Sequence, residues 1–163
     1  DLSKYTFYDL GCGSANTLKY ACELSNFKQL IGIEFSKIRY NVATKNVKNN
    51  CNIKIINDDL LSNKIKYNKH NSIFYISNLC FSDEVNKNLG VKLSKELKNK
   101  SILFSTRLIP ISLPHKLITI TLEQTWTTES NTYIYIIENL RKPNKKTRKK
   151  RLKYKKTKTQ KNI

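Results

Sequence analysis

From residue 5 to about residue 140 the chain alternates short apolar runs with longer amphipathic stretches. The short runs at Tyr5–Leu10, Gln29–Glu34, Ile53–Asn57, Ser72–Ser77, Ser101–Thr106, Leu117–Glu123 and Thr132–Glu138 predict strands. Amphipathic stretches at Asn16–Ser25, Ser36–Asn49 and Asp83–Lys98 predict helices between the first five strands, while the Leu60–Asn71 link carries no clear period. Ser36 and Asp83 each stand directly before a helical pattern and suit the N-cap position. Strands alternating with helices specify an α/β domain. The last two strands follow one another without a helix, which predicts an antiparallel pair at one edge. The expected fold is therefore a doubly wound, mostly parallel seven-stranded sheet with an antiparallel edge strand. The first strand begins only a few residues after Asp1, which points to an amino-terminal truncation.

Charge divides the 163 residues in two. Of 31 Lys and Arg, 13 lie between Arg141 and Ile163, where there is no acid, leaving 18 basic residues against all 12 acids in the body. A block of that kind repels itself, so residues 141–163 are expected to form a disordered basic tail behind a folded domain at 1–140. Its natural partners are polyanions, with Lys145, Lys146, Arg148, Lys149, Lys150 and Arg151 at its centre. No apolar run approaches the roughly 20 residues of a membrane-spanning helix, so no membrane partner is expected. Cys12, Cys22, Cys51 and Cys80 show no metal-binding spacing, and with His70 and His115 in loops no metal is expected. Without an export signal, reduced thiols are the expected state.

The sharpest local pattern is Phe7-Tyr8-Asp9-Leu10-Gly11-Cys12-Gly13-Ser14-Ala15, an apolar strand turning through Gly-x-Gly into a helix. Glycines there let the backbone approach a ligand, and the helix start offers free N–H donors. A dinucleotide fingerprint would need a third glycine where Asn16 stands. The acid before the turn would repel a pyrophosphate but suits a cationic ligand, a combination that fits S-adenosylmethionine. About 20 residues on, Leu30-Ile31-Gly32-Ile33-Glu34 ends a second strand in an acid able to accept ribose hydroxyls. A third strand ends in Asn57-Asp58-Asp59-Leu60, where Asp59 can accept from an adenine amino group and Leu60 can pack on the ring.

Three such strand ends in series resemble the Rossmann-like class I S-adenosylmethionine-dependent methyltransferases. Two further stretches resemble the Dot-type (disruptor of telomeric silencing, non-SET) histone H3 lysine methyltransferases: Tyr75-Ile76-Ser77-Asn78-Leu79-Cys80-Phe81-Ser82-Asp83-Glu84-Val85, and Gln124-Thr125-Trp126-Thr127 followed by Tyr133. The resemblance implies that Asp9, Gly11 and Gly13 contact the methionyl end, Glu34 the ribose, and Asp59 with Leu60 the adenine. It implies that Tyr75, Ser77, Asn78, Leu79 and Phe81 line a methyl-transfer pocket, with Trp126 and Tyr133 walling a lysine channel. Such a channel would desolvate the lysine, lower its pKa and aim it at the methyl group.

The implied activity is methyl transfer to a lysine of histone H3 on the nucleosome, in the nucleus, with DNA gripped by the basic tail. Two alternatives stand beside it. One is an RNA or DNA methyltransferase, although Ser77-Asn78-Leu79-Cys80 lacks the paired prolines common in base amino-methylases. The other is a non-catalytic polyanion-binding module on the same fold.

Overall fold

The computed structural model describes residues 1–47, 52–124 and 127–138. Seven strands alternate with three helices in the order β1 (Thr6–Leu10), α1 (Asn16–Leu24), β2 (Gln29–Glu34), α2 (Lys37–Asn46), β3 (Ile53–Asn57), β4 (Ser72–Ile76), α3 (Asp83–Glu96), β5 (Ile102–Ser105), β6 (His115–Gln124) and β7 (Thr127–Ile137). They form one sheet in the order β3-β2-β1-β4-β5-β7-β6. The five strands β1 to β5 run parallel. β7 runs antiparallel to both of its neighbours, so the hairpin closes the edge with its second strand lying inside its first. This is the expected doubly wound sheet, with both hairpin strands longer than their apolar patterns alone required. The expected Trp126 wall and the whole basic tail, Lys145, Lys146, Arg148, Lys149, Lys150 and Arg151 included, lie outside the described residues, as does the proposed boundary near 140.

The two halves of the sheet are covered differently. β2 is buried along nearly its whole length, as a strand packed on both faces must be. On one face Leu30 packs with Cys12, Ala15, Leu18 and Ala43 beneath α1 and α2. On the other, Tyr8, Leu10, Ile31 and Ile33 join a larger core with Leu89 and Leu93 of α3, and with Leu97 just beyond it. In β4, β5 and β7 burial alternates. Phe74, Ile76, Leu103, Tyr135 and Ile137 face the α3 core, whereas Ile73, Tyr75, Ile102, Phe104, Ile134 and Ile136 on the opposite face are half-buried.

The unclear 60–71 link is irregular chain pinned by α3. Lys92 Nζ donates to the Ser62 and Ile65 carbonyls at 3.0 and 2.8 Å, and Glu96 accepts the Tyr67 N–H at 2.7 Å. Tyr67 is fully buried against a stacked Tyr8–Phe74 pair, and its hydroxyl donates to the Leu60 carbonyl at 3.0 Å. These bonds fulfil the rule that buried polar groups find partners, in a link without secondary structure of its own. Cys12 and Cys80 are free thiols as expected, but Cys22, at the end of α1, is disulfide-bonded and corrects the expectation of reduced cysteines throughout.

Candidate active site

The carboxyl ends of β1, β2 and β3 lie side by side, so the sequence motifs that end those strands share one rim. Register fixes the neighbours: Asp9 lies opposite Gly32 on one side and Tyr75 on the other, and Glu34 opposite Asn57. The turn after β1 is held to β2 by the Ile33 carbonyl, which accepts from Gly11 N–H at 2.8 Å and Cys12 N–H at 3.0 Å. Gly11 and Gly13 both have positive φ, +85° and +54°, which glycine adopts without strain. A side chain at Gly13 would meet nothing within 4 Å, and one at Gly11 only the tip of Phe81 at 3.7 Å, so both glycines border open space. Ala15 also has positive φ and leaves the α1 N-terminus without a side-chain cap. The main-chain donors at that end are therefore not taken by a cap.

Two carboxyls lie beneath this turn. Asp9 is 3% exposed, and burial, augmented by the Glu34 charge, raises its pKa to about 7 despite a hydrogen bond from Thr17. Glu34 is 2% exposed, and its oxygens accept three donors: Gly13 N–H at 2.9 Å, Ser36 N–H at 2.8 Å and Arg39 Nε–H at 3.0 Å. Burial, with both carboxylates adding to it, also pushes the Cys12 thiol up to about 12, so it stays protonated. Asn57 supports the rim from β3 by donating to the Glu34 and Phe35 carbonyls at 2.8 and 3.0 Å.

The third strand end is more open. Asp59 is exposed on this edge and uses one oxygen to accept the Leu61 N–H at 2.8 Å, leaving the other for a ligand donor. Leu60 belongs to the α3 core, so its side chain packs inward and corrects the expectation that it lies on a bound ring. The ring available for that task is Phe35, 75% exposed directly after Glu34. The sequence signal for it was simply an aromatic following the strand-end acid.

On the acceptor side the expected cluster is divided. Asn78 is fully buried, and its side chain is saturated. Nδ2 donates to Asn86 Oδ1 at 2.7 Å and to the Arg107 carbonyl at 3.1 Å. Oδ1 accepts from Thr106 N–H, Thr106 Oγ1–H and Arg107 N–H at 3.1, 3.2 and 2.8 Å. Asn78 therefore joins β4 to α3 and to the turn after β5, and does not line a pocket. Arg107 reinforces that joint, donating to the Phe81 carbonyl at 2.7 Å and to Asp83 at 2.6 Å. Ser77 and Leu79 are exposed on the loop thus held.

The aromatic residues do not form one slot. Tyr75 lies in a lateral row with Phe104 and Ile134, while Tyr133 is paired with Ser105 and so points to the opposite face. Tyr133 and Phe81 pack against the α3 core, and Tyr75 lies on the Asp9 side. Burial and the Asp9 charge raise the Tyr75 pKa, with a hydrogen bond to Ser77 opposing them. Strand parity thus separates Tyr75, expected to line the methyl-transfer pocket, from Tyr133, expected to wall the lysine channel with Trp126. Among the described residues no cluster of three or more His, Cys, Asp or Glu could hold a metal ion.

No protein-family profile matches the chain, and no curated protein matches it in sequence. Solved structures do match in shape. An RNA methyltransferase from Salinibacter ruber, in complex with S-adenosyl-L-homocysteine, superposes with a TM-score of 0.64 at 19% identity, covering 85% of this chain and 84% of that one. The methyltransferase domain of a bacterial CtHen1 gives 0.65 at 11% identity, covering 82% and 89%. The N-methyltransferase NodS from Bradyrhizobium japonicum gives 0.62 at 9% identity, covering 83% and 86%. The chain thus has the Rossmann-like fold of class I methyltransferases.

Proposed function

We propose that this chain binds S-adenosylmethionine at the β1–β3 rim and transfers its methyl group to an acceptor on RNA. The observation that carries the cofactor half is the joint of Gly13, Glu34 and Asp9. A glycine turn bordering open space lies over two buried carboxyls, one of which takes up a proton near neutrality. This donor set fits a ligand with a cationic amino-acid end and a ribose. The cofactor, when bound, supplies a methyl group activated on a sulfonium. Asp9 would face the ammonium and ionise against it, Gly11 and Gly13 would let the backbone approach the methionyl end, and Asp59 with Phe35 would take the adenine. Ser77 and Tyr75 present hydroxyls beside Asp9 where an acceptor can be oriented.

Support for an RNA acceptor is twofold. The chain carries a formal charge of +19, which favours a polyanion. The Salinibacter structure that shares this fold over most of both chains is an RNA methyltransferase. The histone H3 reading keeps one specific observation in its favour, the Trp126-Thr127 to Tyr133 spacing. It loses the Asn78 amide and the common aromatic slot from its acceptor side. Nucleosome and DNA contacts through the tail, and a nuclear location, belong to that second reading.

Tritium transfer from labelled cofactor into total RNA and into nucleosomes separates these readings. Label in RNA and not in histones is the expected result. Label confined to histone H3 would promote the lysine reading. Cofactor binding with no label in either substrate would leave a non-catalytic polyanion-binding module.

A further inference from the structure

We propose that Arg39 is a latch on the ribose end of the cofactor cleft, holding the Glu34 carboxylate closed until an adenosyl ligand displaces it. The proposal rests on the cofactor reading above and concerns how that site opens.

A carboxylate oxygen accepts about two hydrogen bonds. Glu34 Oε1 already accepts from Ser36 N–H and Arg39 Nε–H, and Oε2 accepts from Gly13 N–H. One acceptor position remains, on Oε2, but the side chain is only 2% exposed, so little of it is open to a ribose hydroxyl. Something must move before the acid at the end of β2 can hold a ribose.

The three donors differ in their freedom. Gly13 N–H belongs to a turn whose neighbours Gly11 and Cys12 are tied to the Ile33 carbonyl. Ser36 is the N-cap of α2, its side chain accepting the Arg39 N–H, so its main chain is fixed by the helix start. The Arg39 side chain is instead 65% exposed, and no other polar contact of its guanidinium is present among the described residues. It can swing into water while the backbone donors stay in place.

Arg39 opposes a ligand in two ways. It occupies an acceptor atom, and its positive charge offsets the carboxylates that would attract a cationic ligand. Its field reaches the glycine turn, where it counters the upward push of Asp9 and Glu34 on the Cys12 thiol. In the empty protein the same contact gives a buried carboxylate its only cationic partner among the described residues, which such a group requires. Removing Arg39 should therefore tighten binding while loosening the empty fold. A merely structural arginine would move both in the same direction.

Calorimetric titration of S-adenosylhomocysteine into the full chain tests this, using wild type, Arg39→Gln and Arg39→Ala, each also melted without ligand. Gln keeps part of the aliphatic stem of Arg39, so this variant is expected to fold even where truncation to Ala costs packing. Both variants should bind roughly fivefold more tightly than wild type and melt at lower temperature. Affinity unchanged or weakened in Arg39→Gln, with wild type binding normally, overturns the latch and leaves the cofactor reading intact. No binding by any of the proteins overturns both.

Discussion

Gly13 and Glu34 meet across 21 positions of sequence, the main-chain N–H of the first donating to Oε2 of the second at 2.9 Å. That bond ties the turn after β1 to the end of β2, so the glycine turn and the strand-end acid form one unit. Glu34→Gln should break it, because an amide offers one acceptor oxygen where the carboxylate offers two. At least one part-buried N–H then loses its partner, at a cost of about 1 kcal/mol. Urea unfolding should show that loss, and S-adenosylhomocysteine binding by calorimetry should fall below detection. A variant with wild-type stability and affinity would refute the joint.

Asp9 supplies a pH dependence whose sign can be worked out. Its folded pKa is about 7 against an ordinary value of 3.8, so between these values the folded chain holds a proton that the unfolded chain has released. Stability of the ligand-free protein should therefore fall as pH rises from the unfolded value through the folded one, and level off above it. The total is on the order of a few kcal/mol, since each tenfold difference in proton affinity is worth about 1.4 kcal/mol. A cationic ligand favours the ionised acid, so S-adenosylmethionine affinity should rise through the same window. Asp9→Asn should flatten both profiles; thermal melts and titrations across the range will show whether it does.

Asn78 is expected to behave as a structural residue. Asn78→Ala strands the buried Thr106 N–H and the part-buried Arg107 N–H and leaves the Asn86 Oδ1 without its donor. The expected loss is about 3 kcal/mol, seen as a clear drop in melting temperature. An undiminished melting temperature with abolished methyl transfer would instead return Asn78 to the chemistry.

Gly32 matters for space. A Cβ there would lie 2.7 Å from Cys12 Sγ and Leu18 Cδ1 and 2.9 Å from Ile55 Cδ1, all in packed surroundings. Gly32→Ala should destabilise by about 1–3 kcal/mol through overpacking. It should also weaken cofactor binding, because Cys12 and Leu18 position the turn and α1. Equal stability in denaturant titrations would show that this layer is looser than its distances say.

The basic tail can be tested apart from the site. Replacing its lysines and arginines from 145 to 151 with glutamine should weaken single-stranded RNA binding and flatten its salt dependence, by roughly 0.7 in log–log slope for each phosphate no longer neutralised. Fluorescence anisotropy across a salt series reads both effects. An unaltered slope would make the tail a bystander.

The one-dimensional pattern was enough for the sheet and for the rim that the strand-end motifs share. The periodicities of strands and helices, the positive-φ glycines and the acids ending β1 and β2 are local properties, and parallel strands bring their carboxyl ends together. Leu60 could not be placed this way, because whether a residue after a strand points outward or into a core depends on what packs over the link, here Tyr67 and α3.

Sequence alone thus determined the order of elements, the parallel sheet and the shared rim of Asp9, Gly11, Gly13 and Glu34. Tertiary structure decided which of those groups were free. Asn78 was drawn inward because α3 and the turn after β5 left donors and acceptors facing it. Tyr75 and Tyr133 were sent to opposite faces by the register of β4, β5 and β7. Arg39 was set on Glu34 because the first turn of α2 carries it back over the strand end. Composition and motif name a side chain's chemistry, but burial and the partners that reach it set whether that chemistry is available.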